Sequence, residues 1–437
     1  MIRNKENIKV LVVGRVAWTA SQCTQNSIFN GFNPKNLAYI CIETQDPDFS
    51  HCANHFQISE IALIKRLFKW NTLTGHKRIP GANSSEEKSL EKKEASTGGW
   101  IRRHRSSLFL YIREMLWRLN GWKTKELDQF IDDFAPDVLF FLSDPLPLIN
   151  RLHLYILRKT NLPAAIFLMD DIWSYESGRT GLRYLLRREV EKLVPACKAH
   201  FAISPKMKEE CDSLFNTDCI LLTKGIERFA EPLQLLHSPI TLVYTGNLIY
   251  GRLYSLAAIA STIEKINGAG KNTVMLNIYT QTELNEKERE LLDKPGVCQL
   301  HPPVPYSELE KIYNESDILL FVESLQDKYK NIARLSFSTK LTDYLACGRC
   351  IFAVGAENIA PIEYLRNADV AVTCSSIKDI ENKLQSLLES PERITTLARR
   401  SLEYGKIHHN TELMQERLSS TIIRIANNID DGNTSLS

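Results

Sequence analysis

Short, near-continuous runs of Val, Ile, Leu and Phe alternate with helical stretches along most of the chain, and this alternation constrains the fold most tightly. In the first half the runs are Ile8–Gly14, Leu37–Glu43, Asp137–Ser143, Ala164–Asp171, His200–Ser204 and Cys219–Lys224. In the second half they are Thr241–Thr245, Val274–Thr280, Val297–His301, Ile318–Glu323, Cys350–Val354 and Val370–Cys374. Apolar runs without polar alternation suit parallel strands covered on both faces by helices. Two sets of such strands predict an α/β chain of two doubly wound domains, and sheets of this kind bind ligands at the carboxyl ends of their strands. The strand pattern lapses around residues 226–240, where Pro232 and Pro239 fall, and the domain boundary is expected there. The expected organisation is a first domain over 1–230, a second over 231–405 and a C-terminal helix over 406–437 that returns to the first. Residues 71–105 are polar and charged and read as a mobile insertion.

Composition removes several function classes. A formal net charge of +2 over 437 residues argues against a dedicated nucleic-acid binder. No stretch approaches ~20 continuous apolar residues, so no transmembrane helix is expected. The charged start, Met1 to Asn7, leads into a strand and does not read as a signal peptide. Ten scattered cysteines suggest free thiols in a reducing cytoplasm. Cys347-Gly-Arg-Cys350 has no second pair to complete a metal site, and no metal is expected. The loop opening at Gly14 carries one glycine and lacks G-x-G-x-x-G, which excludes a nicotinamide-dependent oxidoreductase. G-x-x-x-x-G-K-[ST] is absent as well.

Three stretches carry candidate chemistry. Leu335 to Gly348 reads as a loop turning into a helix, with Ser338 and Thr339 as N-cap residues. The free N–H groups of that helix start, with Lys340, suit an anion. Asp343 follows on nearly the same face and could hold a ribose hydroxyl; a surface helix with a local Lys–Asp pair explains the spacing equally well. Tyr244-Thr-Gly-Asn-Leu-Ile-Tyr-Gly-Arg252, followed by a helix from Ser255, reads as a tight strand-to-helix turn. It would bring Gly246, Asn247 and Arg252 to a ligand, and an arginine there can grip phosphate oxygens bidentately. Met169-Asp-Asp-Ile-Trp173 puts Asp170 and Asp171 at a strand end, where either a substrate or a plain turn accounts for them. Asp144, followed by Pro145, reads as a turn. Between residues 65 and 123, tryptophans lie among Lys and Arg, and Leu108, Ile112, Met115 and Leu119 share one helix face. A membrane surface is one partner for this region, and a core helix beside a solvated loop is the other reading.

The stretches at 244–252 and 335–348 together resemble the retaining GT-B glycosyltransferases of the glycogen-synthase-like group, in the form found among bacterial surface-polysaccharide enzymes. Arg252 falls on the group's first basic position and Lys340 near its second. Asp343-Tyr-Leu-Ala-Cys-Gly348 resembles the E-A-x-x-x-G element, with Asp343 in place of the ribose-binding glutamate. Ile203 to Met207 and Thr223 to Ile226 look like the elements that close the first domain. The group's usual acidic residue is replaced by Leu335.

The resemblance implies two Rossmann-like domains facing across a cleft and transfer of a sugar from a nucleoside-diphosphate sugar to a glycan or lipid-linked acceptor. It implies no further cofactor. Arg252, Lys340, Asp170 and Asp171 would be the catalytic residues. Gly246, Asn247, Ser338, Thr339 and Asp343 would complete the donor side, and Gly14, Asp170, Asp171 and Trp173 the acceptor side. A nucleotide-sugar epimerase of the same fold, which would need a histidine and carboxylates around the cleft and for which His301 is the best-placed histidine, and a non-catalytic nucleotide-sugar-binding relative remain as alternatives. The expected location is cytoplasmic, or peripheral on the inner face of the membrane.

Overall fold

The computed structural model describes residues 4–43, 45–80, 107–173, 180–270, 274–330 and 332–429. The chain divides into two compact units. The first comprises Met1–Ile203, Met207–Leu222 and Gln415–Ser437, and the second Ser204–Lys206 and Thr223–Met414.

The first unit is built on β1 (Val10–Val13), β2 (Leu37–Cys41), β3 (Asn54–Ile58), β4 (Gly75–Arg78), β5 (Val138–Leu142), β6 (Ala164–Leu168), β7 (Ala199–Ala202) and β8 (Ile220–Leu221). Their order is β4-β3-β2-β1-β5-β6-β7-β8. Neighbours are parallel except β3 and β4, which pair antiparallel. β1 and β5 are apolar at every position and fully buried, because helices cover both faces of the sheet.

Two of these strands do not announce themselves in the sequence. β3 interleaves polar residues with apolar ones, yet His55 and Gln57 are buried, and His55 Nε2 finds the Cys52 carbonyl at 2.8 Å. β4, Gly-His-Lys-Arg, lies inside the segment expected to be mobile. Its ladder with β3 holds it at the sheet edge, where polar residues are tolerated. Residues 81–105 of that segment lie outside the described residues.

The second unit carries β9 (Ile240–Thr245), β10 (Val274–Tyr279), β11 (Cys298–His301), β12 (Ile318–Val322), β13 (Cys350–Val354) and β14 (Ala371–Cys374). The order β11-β10-β9-β12-β13-β14 is parallel throughout. The strand order reverses between β9 and β12, and that reversal opens a crevice at their carboxyl ends. Ile318, Leu320, Phe352 and Val354 share a core with Leu384, Leu387 and Ile394 from the covering helices. Phe352 is fully buried. Phe352→Ala should destabilise this unit by about 3–5 kcal/mol, the usual combined effect of lost burial and a cavity. Urea unfolding followed by a probe in the second unit measures it.

No helix among the described residues is long and apolar enough to cross a membrane. The ten cysteines are free thiols, and all but Cys23 are buried.

Candidate functional site

In the second unit the candidate donor residues gather at the β9–β12 reversal. β9 ends at Thr245, and the chain turns at Gly246 with φ +139°. Gly246 N donates to the Tyr279 carbonyl at 2.9 Å, which fixes the turn to the end of β10. A Cβ on Gly246 would lie 2.5 Å from Lys340 Nζ, so only glycine leaves room for that lysine tip. Tyr244 Oη donates to the Asn247 carbonyl at 2.7 Å and closes the turn. Tyr250 and Gly251 both take positive φ, and the helix then starts at Arg252, three residues earlier than the sequence suggests.

Arg252 is held on two sides. Its Nε and Nη2 donate to the Glu323 carboxylate at 3.0 and 2.8 Å, and its Nη1 donates to Asn247 Oδ1 at 2.6 Å. Burial works against the guanidinium charge, but Glu323 outweighs it and raises the Arg252 pKa. Among the described residues three of the five guanidinium N–H groups are engaged, which leaves two for an anion.

The helix Thr339–Ala346 begins as the sequence indicates. Ser338 is its N-cap, and Ser338 Oγ accepts from Lys340 N at 3.3 Å. Leu341, Tyr344 and Leu345 face the core, and Gly348 stops the helix with φ +59°. Lys340 reaches back over the β9 turn. Its Nζ donates to the Thr245 carbonyl at 2.9 Å and sits 5.1 Å from the Tyr244 ring centroid. Burial, then the nearby Arg252 charge, lower the Lys340 pKa from 10.5 to about 8. Glu323 and Asp343 oppose that shift only in part. Two cations therefore approach one glycine turn at a helix start.

Asp343 turns to other partners. Its Oδ1 is ion-paired with Lys224 and accepts from Tyr306 Oη at 3.1 Å. Lys224 also donates to Tyr306 Oη at 2.6 Å. Burial opposes the Lys224 charge, but Asp343 overrides it and raises the pKa. Leu335, which stands where the resemblance expects an acid, is buried. His301 stacks on Tyr279 at 4.5 Å, and its Nε2 lies 2.8 Å from Asn277 Oδ1.

In the first unit, the strand order reverses between β1 and β5, and the polar cluster there has an arginine at its centre. Arg15 follows Gly14, donates from Nε to Asp144 Oδ2 at 2.6 Å and ion-pairs with Glu43. Burial opposes the Arg15 charge, yet Asp144 and Glu43 raise its pKa. A Cβ on Gly14 would meet Tyr39 Oη at 2.4 Å, so that position has a packing reason to be glycine. Asp144 does shape a turn, accepting from Leu146 N at 2.9 Å, but it is also the buried partner of Arg15.

Asp170 lies just past β6, exposed at the rim of this cluster. The surrounding protein, then Asp144 and Asp171, push its carboxyl up, with Arg15 pulling the other way. Asp171 Oδ1 accepts from Trp173 N at 3.1 Å and so shapes the turn. Trp173 packs edge-on to Phe215, with the Arg187 guanidinium 4.8 Å from its ring.

Glu323, Lys224, Tyr306 and Arg15 are absent from the sequence-level site. Glu323 carried a usable signal, since it directly ends an apolar run, as Asp170 nearly does. Lys224 and Tyr306 could not be paired with Asp343 from spacing, because 119 and 37 residues separate them from it.

A family model described as glycosyl transferase-like matches residues 268–418. Among solved structures, HepE from Anabaena, bound to UDP-glucose, superposes with a TM-score of 0.61 at 9% identity, covering 95% of this chain and 99% of that one. A glycosyltransferase from Rickettsia africae gives 0.59 at 11%, covering 97% and 99%. Sucrose-phosphate synthase from Thermosynechococcus elongatus gives 0.57 at 11%, covering 95% and 98%. No curated protein sequence matches the chain. The two parallel-sheet α/β units are those of the GT-B glycosyltransferase fold.

Proposed function

We propose that this chain is a glycosyltransferase that moves a sugar, a hexose, from a nucleoside-diphosphate sugar to a glycan or lipid-linked acceptor, with retention of configuration, in bacterial polysaccharide assembly at the inner face of the membrane. The observation that carries this reading is the convergence of Arg252 and Lys340 on the Gly246 turn, at the point where the strand order of the second unit reverses. The glycosyl transferase-like match over 268–418 and the UDP-glucose bound by HepE support a nucleotide-sugar donor.

Leaving-group departure is the demanding step, because negative charge builds on the diphosphate as the glycosidic bond breaks. Lys340, the two remaining Arg252 N–H groups and the helix start at Ser338–Thr339 supply fixed positive potential for that charge. Asp343, held by Lys224 and Tyr306, is the ribose-side carboxylate. Gly246 and Asn247 frame the diphosphate. On the acceptor side, beside Gly14 and Trp173, Asp170 takes the hydroxyl proton and Asp171 shapes its turn. A raised carboxylate is the better proton acceptor near neutral pH.

Release of nucleoside diphosphate on mixing donor sugar with acceptor is the test. Turnover that requires an acceptor supports a transferase. Conversion of the donor alone would instead mark an epimerase. Leu335, buried and apolar where an acid is expected, favours one rival, a non-catalytic relative that binds nucleotide sugar without turnover. A thermal-shift screen of nucleoside diphosphates should raise the melting temperature with one base above the others, because a ligand that binds only the folded state stabilises it.

A further inference from the structure

The first unit carries an apolar, basic surface for which the donor and acceptor chemistry has no use. The helix Glu60–Arg66 and the chain after it leave Phe68 89%, Trp70 83% and Leu73 65% exposed. The neighbouring helix Ser107–Arg118 adds Ile112 at 57% and Met115 at 60%, with Leu119 just beyond it at 62%. The two helices are locked together from behind. Arg113 grips Glu60 with bonds of 2.7 and 3.0 Å, and Trp117 Nε1 donates to Glu60 at 2.8 Å. Gly121 abuts Leu63 and Arg66. Trp117 and Trp122 are therefore core residues, and the stripe formed by Ile112, Met115 and Leu119 faces solvent, against the core-helix reading. A soluble surface does not ordinarily leave several large apolar side chains this bare side by side.

The charge of the surface says what covers it. Residues 60–80 and 107–123 hold eight Lys or Arg against two acids, Glu60 and Glu114, a net +6 in a chain whose formal total is +2; of the eight, Arg78 and Arg113 are mostly buried in ion pairs with Asp46 and Glu60. Both acids are turned inward, Glu60 to Arg113 and Glu114 to Arg118 and Arg151. Lys65, Lys69 and Lys77 are exposed among the apolar residues. Exposed aromatics and aliphatics interleaved with lysines match an anionic lipid interface, where rings enter the headgroup layer and ammonium groups meet phosphates.

We infer that this surface, centred on Phe68 and Trp70, docks the protein on an anionic membrane. Docking holds the enzyme where lipid-linked acceptors reside, which extends the proposed transferase reading. Vesicle binding is measured without nucleotide, so the docking and the chemistry fail separately.

The test is co-sedimentation of the full chain with phosphatidylcholine vesicles, with and without phosphatidylglycerol. The expected result is binding that needs phosphatidylglycerol and weakens with salt. It should drop at least about tenfold in Phe68→Ser/Trp70→Ser and in Lys65→Glu/Lys69→Glu. Both pairs are exposed, so melting temperature and nucleoside-diphosphate binding should stay unchanged. A chain that remains in the supernatant overturns the inference. So does a Phe68→Ser/Trp70→Ser variant that still binds, or one that converts a dimer to a monomer, which would make the surface a contact between copies. Binding that disappears on deletion of residues 81–106 but survives both substitutions places the contact elsewhere and also overturns it.

Discussion

Lys340→Met should lower kcat by about 10²–10³ while the protein stays folded, because one preorganised donor to developing charge is commonly worth that much. Among the described residues the lysine tip packs on the Gly246 turn with only the Thr245 carbonyl as a hydrogen-bond partner, so its charge is held ready rather than neutralised. The pH profile gives an independent readout. With the free-enzyme pKa at about 8, kcat/KM should fall tenfold per pH unit above that value. A bound diphosphate favours the ammonium, so the alkaline limb of kcat should lie higher than that of kcat/KM. Lys340→Arg should move the limb of kcat/KM out of range. The effect on stability has the opposite sign to a stabilising shift. A depressed lysine pKa is a penalty that is fully present below about pH 8 and is relieved as pH rises from 8 towards 10.5. An alkaline limb that persists unchanged in Lys340→Met would remove Lys340 from the proposed role.

Arg252→Ala should be at least as damaging as Lys340→Met, for a reason visible in its partners. The bidentate pair with Glu323 means that truncation removes a cation and also leaves a half-buried carboxylate unpaired beside the place proposed for the diphosphate. Arg252→Lys should recover little, since an ammonium cannot reproduce the planar fork that spans Glu323 and Asn247. The double variant Arg252→Ala/Glu323→Ala should regain part of the lost donor affinity, because the stranded negative charge is gone. Titration calorimetry with nucleoside diphosphate across this cycle measures the coupling. If Glu323→Ala alone weakens binding as much as Arg252→Ala, and the double variant adds nothing, Glu323 acts by positioning the guanidinium.

Much of this arrangement was legible in the residues. Apolar runs marked the buried parallel strands, since a strand covered on both faces has no polar side to show. Ser338 and Gly348 bracketed a helix because capping chemistry is local. β3 was missed because its burial of His55 and Gln57 depends on partners brought by the sheet. β4 was missed because an edge strand can be wholly polar. The helix at 107–118 left two readings open. Its stripe has core spacing, and only the placement of Glu60, Arg113 and Trp117 shows that the opposite face is the packed one. Within the site, single residues at strand ends were visible, but the pairs were not. Arg15 with Asp144, Arg252 with Glu323 and Lys224 with Asp343 are each closed by topology across 71 to 129 residues.

The first unit is discontinuous in sequence, since Gln415–Ser437 belong to it while Thr223–Met414 do not. Gln415 Nε2 reaches the Ser27 carbonyl at 3.1 Å and Arg417 Nη1 the Leu221 carbonyl at 3.0 Å, so the last segment completes what the earliest residues began. On the ribosome the order of birth is then reversed for the two units: the second has all of its own residues before the first does. A chain truncated just after Met414 and released should hold a protease-resistant second unit beside an unfinished first one.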